Sequence, residues 1–183
     1  MPQVSTDQQY SNVIKSCREI FIKKTKDYGT SWRVYRTISI ADQLYIKAKR
    51  IRNIQQTGKQ KIDDDIRSEF KGILNYAIIG LVQLDFSDDE VEDIPLDQVS
   101  ELYDQKASLA RQLMENKNHD YGEAWREMSQ ESFVDLILAK ILRIKQIVYN
   151  EGKTIASEGI DSNYFDIINY AAFALILTEN LTT

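Results

Sequence analysis

The chain has 183 residues, 43% apolar and 28% charged, with a formal net charge of −5. This composition is ordinary for a soluble globular protein. A single cysteine, Cys17, excludes an intrachain disulfide and a cysteine-rich zinc site.

No apolar run reaches the ~18 residues of a membrane span, so no membrane partner is expected. The start, Met1-Pro2-Gln3-Val4-Ser5-Thr6, lacks a basic-then-apolar leader, and cytoplasmic residence is the expectation. The charge is uneven. Seven acids and no base lie between Asp85 and Asp97, so the remainder of the chain carries +2. That is too little for the basic footprint of a duplex-DNA binder, but it leaves room for a local small-anion pocket.

Two prolines and seven glycines are few, which favours helices. Residues 7–26 predict a first helix. Val13, Ile14, Cys17, Ile20 and Phe21 fall at helical spacing, Cys17 reads as an inert core thiol, and Gly29 stops the helix. At its end stands Lys24-Thr25-Lys26-Asp27-Tyr28-Gly29-Thr30-Ser31-Trp32-Arg33. Asp27 reads as a local cap there, with Tyr28 and Trp32 packed over the helix end. Ser39 predicts an N-cap for a second helix over 40–56, ended by Gly58. Asp63-Asp64-Asp65 opens a third helix running to Leu84, its acids placed where the helix dipole favours them. The segment 87–96, with Pro95, then reads as a linker. Its acids predict a solvated, mobile connector, so neutralising Asp88, Asp89, Glu90, Glu92 and Asp93 should leave the melting temperature nearly unchanged.

The plan then repeats, with helices predicted over about 99–117, 132–149 and 161–179. The second copy of the helix-end motif is Lys117-Asn118-His119-Asp120-Tyr121-Gly122-Glu123-Ala124-Trp125-Arg126. An offset of 93 pairs Tyr10 with Tyr103, Arg18 with Arg111, Asp42 with Asp135, Lys47 with Lys140 and Arg50 with Arg143. After one inserted residue, an offset of 94 pairs Gly58 with Gly152, Asn75 with Asn169 and Tyr76 with Tyr170. The fold class expected is therefore an all-α, six-helix bundle. Two tandem three-helix repeats, 7–84 and 98–180, are joined by the acidic linker 85–97. Small units bury little of their surface, so the repeats are expected to pack as a pseudo-dimer. The nearly all-apolar strings 76–84 and 170–177 should lie centrally.

Core packing explains the shared apolar positions but not the shared polar ones. Lys24, Asp27, Arg33, Asp42, Lys47, Arg50 and Asn75 recur as Lys117, Asp120, Arg126, Asp135, Lys140, Arg143 and Asn169. Tyr28, Trp32 and Tyr76 recur beside them as Tyr121, Trp125 and Tyr170. On the second helix the charges form an arc beside the buried stripe, where they need a partner or a ligand. One reading is an internal ion-pair network. The other is a nucleotide or phosphate site, with lysine and arginine donors and aromatic faces for a base.

Carboxylates offer a third reading. Glu158, Asp161 and Asp166 precede Asn169; Asp65 and Glu69 precede Asn75; and Gly72 stands where repeat 2 has Asp166. With Asp42 or Asp135 these acids could converge on Mg²⁺. His119 reads as a surface residue, and no Ser-His-Asp, Walker-type or Gly-rich phosphate motif is present.

The K-x-x-D-Y-G-x-x-W-R motif, Asp42 with Lys47-x-x-Arg50-Ile51, and Asn75-Tyr76, each twice, resemble a bacterial family catalogued as nucleotide modification-associated domain, type one. The likeness is to its tandem form and runs from about Tyr10 to Glu179. It implies a link to nucleotide modification without naming a reaction. A weaker likeness runs to the all-α nucleoside triphosphate pyrophosphohydrolases, which hold Mg²⁺ with E-x-x-E and E-x-x-D pairs. This chain has Lys47-x-x-Arg50 and Lys140-x-x-Arg143 in place of the first pair. The second is reduced to Asp166-x-x-Asn169 and Gly72-x-x-Asn75. The leading expectation is a nucleotide or phosphate ligand held by the shared residues and Asp166. The alternatives are an Mg²⁺-dependent phosphohydrolase and a structural or partner-binding helical protein.

Overall fold

The computed structural model describes residues 4–58, 65–86, 91–155 and 158–179. Six helices carry the chain: α1 (Thr6–Tyr28), α2 (Thr37–Thr57), α3 (Ile66–Leu84), α4 (Leu96–Tyr121), α5 (Gln130–Tyr149) and α6 (Ile160–Glu179). A short 3₁₀ turn follows α1 at Ser31–Val34 and another follows α4 at Ala124–Glu127. There is no strand among the described residues, and the all-α reading of the sequence holds.

Helix ends follow local chemistry. Ser5 accepts from the Gln8 N–H to cap α1, and Asp65 accepts from the Ser68 N–H at 2.7 Å to cap α3. Asp63 and Asp64, read as part of that cap, lie outside the described residues. Gly58 closes α2 in the left-handed conformation, at φ 66° and ψ 12°, where a side chain is strained. The start of α2 differs from the prediction. The preceding 3₁₀ turn delivers an extended Arg36, whose carbonyl already accepts from the Ser39 and Ile40 N–H groups. Ser39 therefore lies inside the helix. In repeat 2 the cap is Ser129, which accepts from the Ser132 N–H. Helix α4 is longer than predicted, starting directly after Pro95.

The apolar helices α3 and α6 lie at the centre and pack most closely on each other. Each is flanked by the second helix of its own repeat, and α2 and α5 also pack together. Helices α1 and α4 each reach both central helices. The two repeats share one hydrophobic core, as the pseudo-dimer expectation requires. Reciprocal hydrogen bonds cross the interface. Tyr10 donates to Asn169 Oδ1 at 2.7 Å, and its counterpart Tyr103 donates to Asn75 Oδ1 at 2.8 Å. The amide nitrogens of Asn75 and Asn169 donate in turn to the Cys17 and Ala110 carbonyls. Cys17 is fully buried, and burial pushes its thiol up to about 12, so it stays protonated and inert.

The described part of the linker is not the free connector its acids predict. Asp93 Oδ1 accepts from both the N–H and the hydroxyl of Thr30 at 2.6 Å, and Thr30 Oγ1 accepts from the Ile94 N–H. Ile94 is buried, while Asp85 pairs with Lys106 at 2.6 Å. The reason is local. The loop after Gly29 presents an unpaired N–H and a hydroxyl, and an aspartate satisfies both. Asp88, Asp89 and Glu90 lie outside the described residues.

Candidate functional site

The shared polar residues, which look alike in sequence, separate into four environments. The first is the interface between repeats. Asp42 pairs with Lys145 at 2.7 Å, and its counterpart Asp135 faces Arg52 at 3.6 Å. These two contacts are related by the duplication, since Arg52 and Lys145 occupy matching positions. Asn75 and Asn169 belong to the same interface through the tyrosine bonds.

The second environment is the turn after each first helix. Arg33 is 5% exposed, donates to Gln83 Oε1, and lies 4.3 Å over the Phe86 ring. Arg126 donates to Glu123, Thr6 and Gln9 and stacks 4.4 Å from Trp125. Asp27 and Asp120 are exposed on α1 and α4, with Asp120 3.3 Å from His119 Nδ1. Tyr28 is 72% exposed, whereas Trp32 is buried at 8%.

The third environment is a recess of about 550 Å³ in repeat 1, between α1, the 3₁₀ turn, α2 and α3. It brings together Lys24, Tyr28, Trp32, Lys47, Asn75 and Tyr76 from the predicted set. Lys71 and Tyr35 join them, and Gly72 and Ile79 line the floor. The Lys47 ammonium stands 5.8 Å from the Tyr76 ring centre and 3.5 Å from Glu69 Oε2. Arg50 takes the other Glu69 oxygen at 2.8 Å. A Cβ added to Gly72 would sit 3.0 Å from Lys47 Cε and 3.1 Å from its Nζ, so the lysine tip lies directly over the glycine. Lys24 makes no ion pair among the described residues.

The fourth environment is the same place in repeat 2, and it is filled. Asp166, at the Gly72 position, receives Lys117 on one oxygen and Lys140 on the other, both at 2.8 Å. Burial raises the Asp166 carboxyl, but the two lysine hydrogen bonds and charges outweigh it and hold the group below the usual carboxylate range. Phe173, at the Ile79 position, lies on Trp125 with ring centres 4.3 Å apart and planes 7° apart. Repeat 2 does have a recess of about 620 Å³, reached by Lys140, Arg143 and Asp166. It is lined by the α5–α6 connection and includes none of Tyr121, Trp125 or Tyr170.

Lys71 and Tyr35 escaped the sequence reading because repeat 2 has Phe165 and Met128 there. A comparison of two copies finds what both retain and passes over what one alone has. The Asp166-for-Gly72 exchange was visible as a signal. Of the acids weighed for Mg²⁺, Asp42, Asp135, Glu69 and Asp166 each face a cation. No group of three metal-ligating side chains occurs among the described residues.

Two helical repeats with one core, one carrying a cationic aromatic recess and the other a filled copy of it, define a duplicated all-α protein. The chain belongs to the family described as nucleotide modification associated domain 1, which matches it twice, over residues 24–84 and 117–177. No curated protein and no solved structure matches the chain. No described helix is long and apolar enough to cross a membrane.

Proposed function

We propose that repeat 1 binds a nucleotide or another phosphate-bearing small molecule in the recess between α1, α2 and α3. One observation carries this reading. Three lysines, Lys24, Lys47 and Lys71, meet four aromatic side chains, Tyr28, Trp32, Tyr35 and Tyr76, around a single recess. Ammonium groups supply charge-assisted donors for phosphate oxygens, and aromatic faces stack any base. The recess volume of about 550 Å³ lies within the ~300–1,000 Å³ of small-molecule sites. The family description, with its tie to nucleotide modification, points the same way. The shared residues at the interface and the turns serve the fold instead.

The test compares two lysines at matching positions. Lys47→Ala is expected to weaken nucleotide binding by about 1.5–3 kcal/mol, the range for a hydrogen bond to a charged group, and to leave the melting temperature nearly unchanged. Lys140→Ala is expected to do the reverse, because it takes one of two partners from the half-buried Asp166. Calorimetric titration with nucleoside mono- and triphosphates, beside thermal melts of the free variants, measures both. Wild-type protein that binds none of these ligands, or Lys47→Ala that destabilises without changing affinity, would end the binding reading.

A further inference from the structure

The contrast between the two recesses says more than either alone. The two copies differ at most of their aligned positions, yet the lysine pair survives in both. In repeat 2 both lysines converge on one carboxylate supplied by the chain itself, at 2.8 Å each. In repeat 1 the residue at that position is glycine, and Lys47 lies directly over it. The second difference falls on the same helix about two turns further along. Phe173 covers Trp125 as a parallel ring, while repeat 1 has the smaller Ile79 beside Trp32, and both line the open recess. Among the substitutions at recess positions, these two place an acid and a flat ring where repeat 1 has Gly72 and Ile79, which both line the open recess.

We propose that repeat 2 is a self-occupied copy of the repeat 1 site, so that the chain takes a single ligand, an aromatic ring carrying an acidic group. The Asp166 carboxylate marks where the ligand's acid sits, between Lys24 and Lys47 above Gly72. The Phe173 ring marks where its planar ring lies, toward Trp32. The inference rests on the binding role proposed for repeat 1 and adds the position of the acid, the stoichiometry and the division of labour between repeats. Glu69 is compatible with an acid at this seat, because Arg50 holds one of its oxygens at 2.8 Å and Lys47 stands at a loose 3.5 Å. Repeat 2 has Asn163 at that position, which bonds the Gly159 carbonyl and leaves its lysines to Asp166.

Gly72→Asp transfers the internal acid to repeat 1. The atoms nearest its Cβ belong to the flexible end of Lys47, so the variant is expected to fold. Asp166→Gly with Phe173→Ile opens repeat 2. The probes are inorganic phosphate, the four common ribonucleoside 5′-monophosphates, and the corresponding nucleosides, titrated calorimetrically at constant ionic strength. Wild-type protein is expected to bind one monophosphate per chain, more tightly than phosphate or nucleoside alone. Gly72→Asp is expected to lose at least tenfold in monophosphate affinity, and the opened repeat 2 variant to bind two per chain. Monophosphate binding to wild type with no loss in Gly72→Asp overturns this inference and leaves the binding role of repeat 1 standing. Phosphate binding that Gly72→Asp abolishes, with no gain from any nucleoside, keeps the acid seat and overturns the ring. Absence of binding by every probe to wild type overturns both proposals. Should the repeat 2 variant fail to fold, by circular dichroism, Gly72→Asp alone decides.

Discussion

Tyr164 shows how much a single position in the central interface constrains. Its side chain is fully buried, and its hydroxyl has no hydrogen-bond partner among the described residues. Burial alone pushes that phenol well above its usual value, so it stays protonated. The ring lies so close to α3 that a Cβ added to Gly80 would stand 2.4 Å from Cζ. The matching positions in the other half carry Phe70 and Ala174. An unsatisfied buried hydroxyl costs about 1–3 kcal/mol, so Tyr164→Phe is expected to stabilise the protein. Gly80→Ala is expected to lose about 1–3 kcal/mol through overpacking. Denaturant melts of the two variants check this, and a destabilising Tyr164→Phe would show that the hydroxyl is satisfied in solution.

At the scale of elements, the segment joining the repeats is the informative one. The residue 91–95 stretch is held by Asp93 against the loop that follows α1, not by hydrophobic burial except at Ile94. The backbone of Gly29 there has φ 61° and ψ −151°, a region that only glycine enters freely, and Asp93 Oδ1 comes within 2.8 Å of its missing Cβ. Gly122, at the matching turn, has an ordinary left-handed conformation and nothing within 4 Å. Gly29→Ala is therefore expected to cost more stability than Gly122→Ala. Asp93→Ala is expected to lower the melting temperature, and Glu92→Gln to leave it unchanged. The hydrogen bonds from Thr30, with partial offset by burial, hold the Asp93 carboxyl below its usual value. Its contribution is thus present above the unfolded-state value, about 3.9, and is lost as pH falls through the lower folded-state one. The melting difference between wild type and Asp93→Ala should shrink on acidification; a difference that grows would refute the assignment.

At the scale of the whole molecule, two similar halves share one hydrophobic core. Neither repeat covers its own central helix: α3 is closed by α6 and α4, and α6 by α3 and α1. The tyrosine bonds reinforce this exchange, since each asparagine is satisfied by a side chain from the opposite repeat. A chain cut after residue 90 would expose the apolar face of α3 and leave Asn75 Oδ1 without Tyr103. Such a fragment is expected not to fold as a monomer, given the small surface fraction a unit of that size can bury. Far-ultraviolet circular dichroism and sedimentation check it. A monomeric fragment with full helicity and a cooperative melt would show the repeats to be independent domains.

The duplication and the helices were legible in the sequence because both are written in spacing: a register of 93 then 94 residues, and apolar positions at helical period. The central placement of α3 and α6 followed from their being apolar on nearly every face. What the shared charges do was not legible. Register gives a side chain's angle about its own helix but not which neighbour that angle meets. Asp42 and Lys47 stand on one helix, yet the first meets Lys145 of the opposite repeat and the second meets Glu69 of its own. The exchange of Gly72 for Asp166 could be read by eye. That it leaves one recess open and closes the other depends on two lysines, 23 residues apart in sequence, reaching a single carboxylate at 2.8 Å. Only the packing of α4, α5 and α6 brings them there.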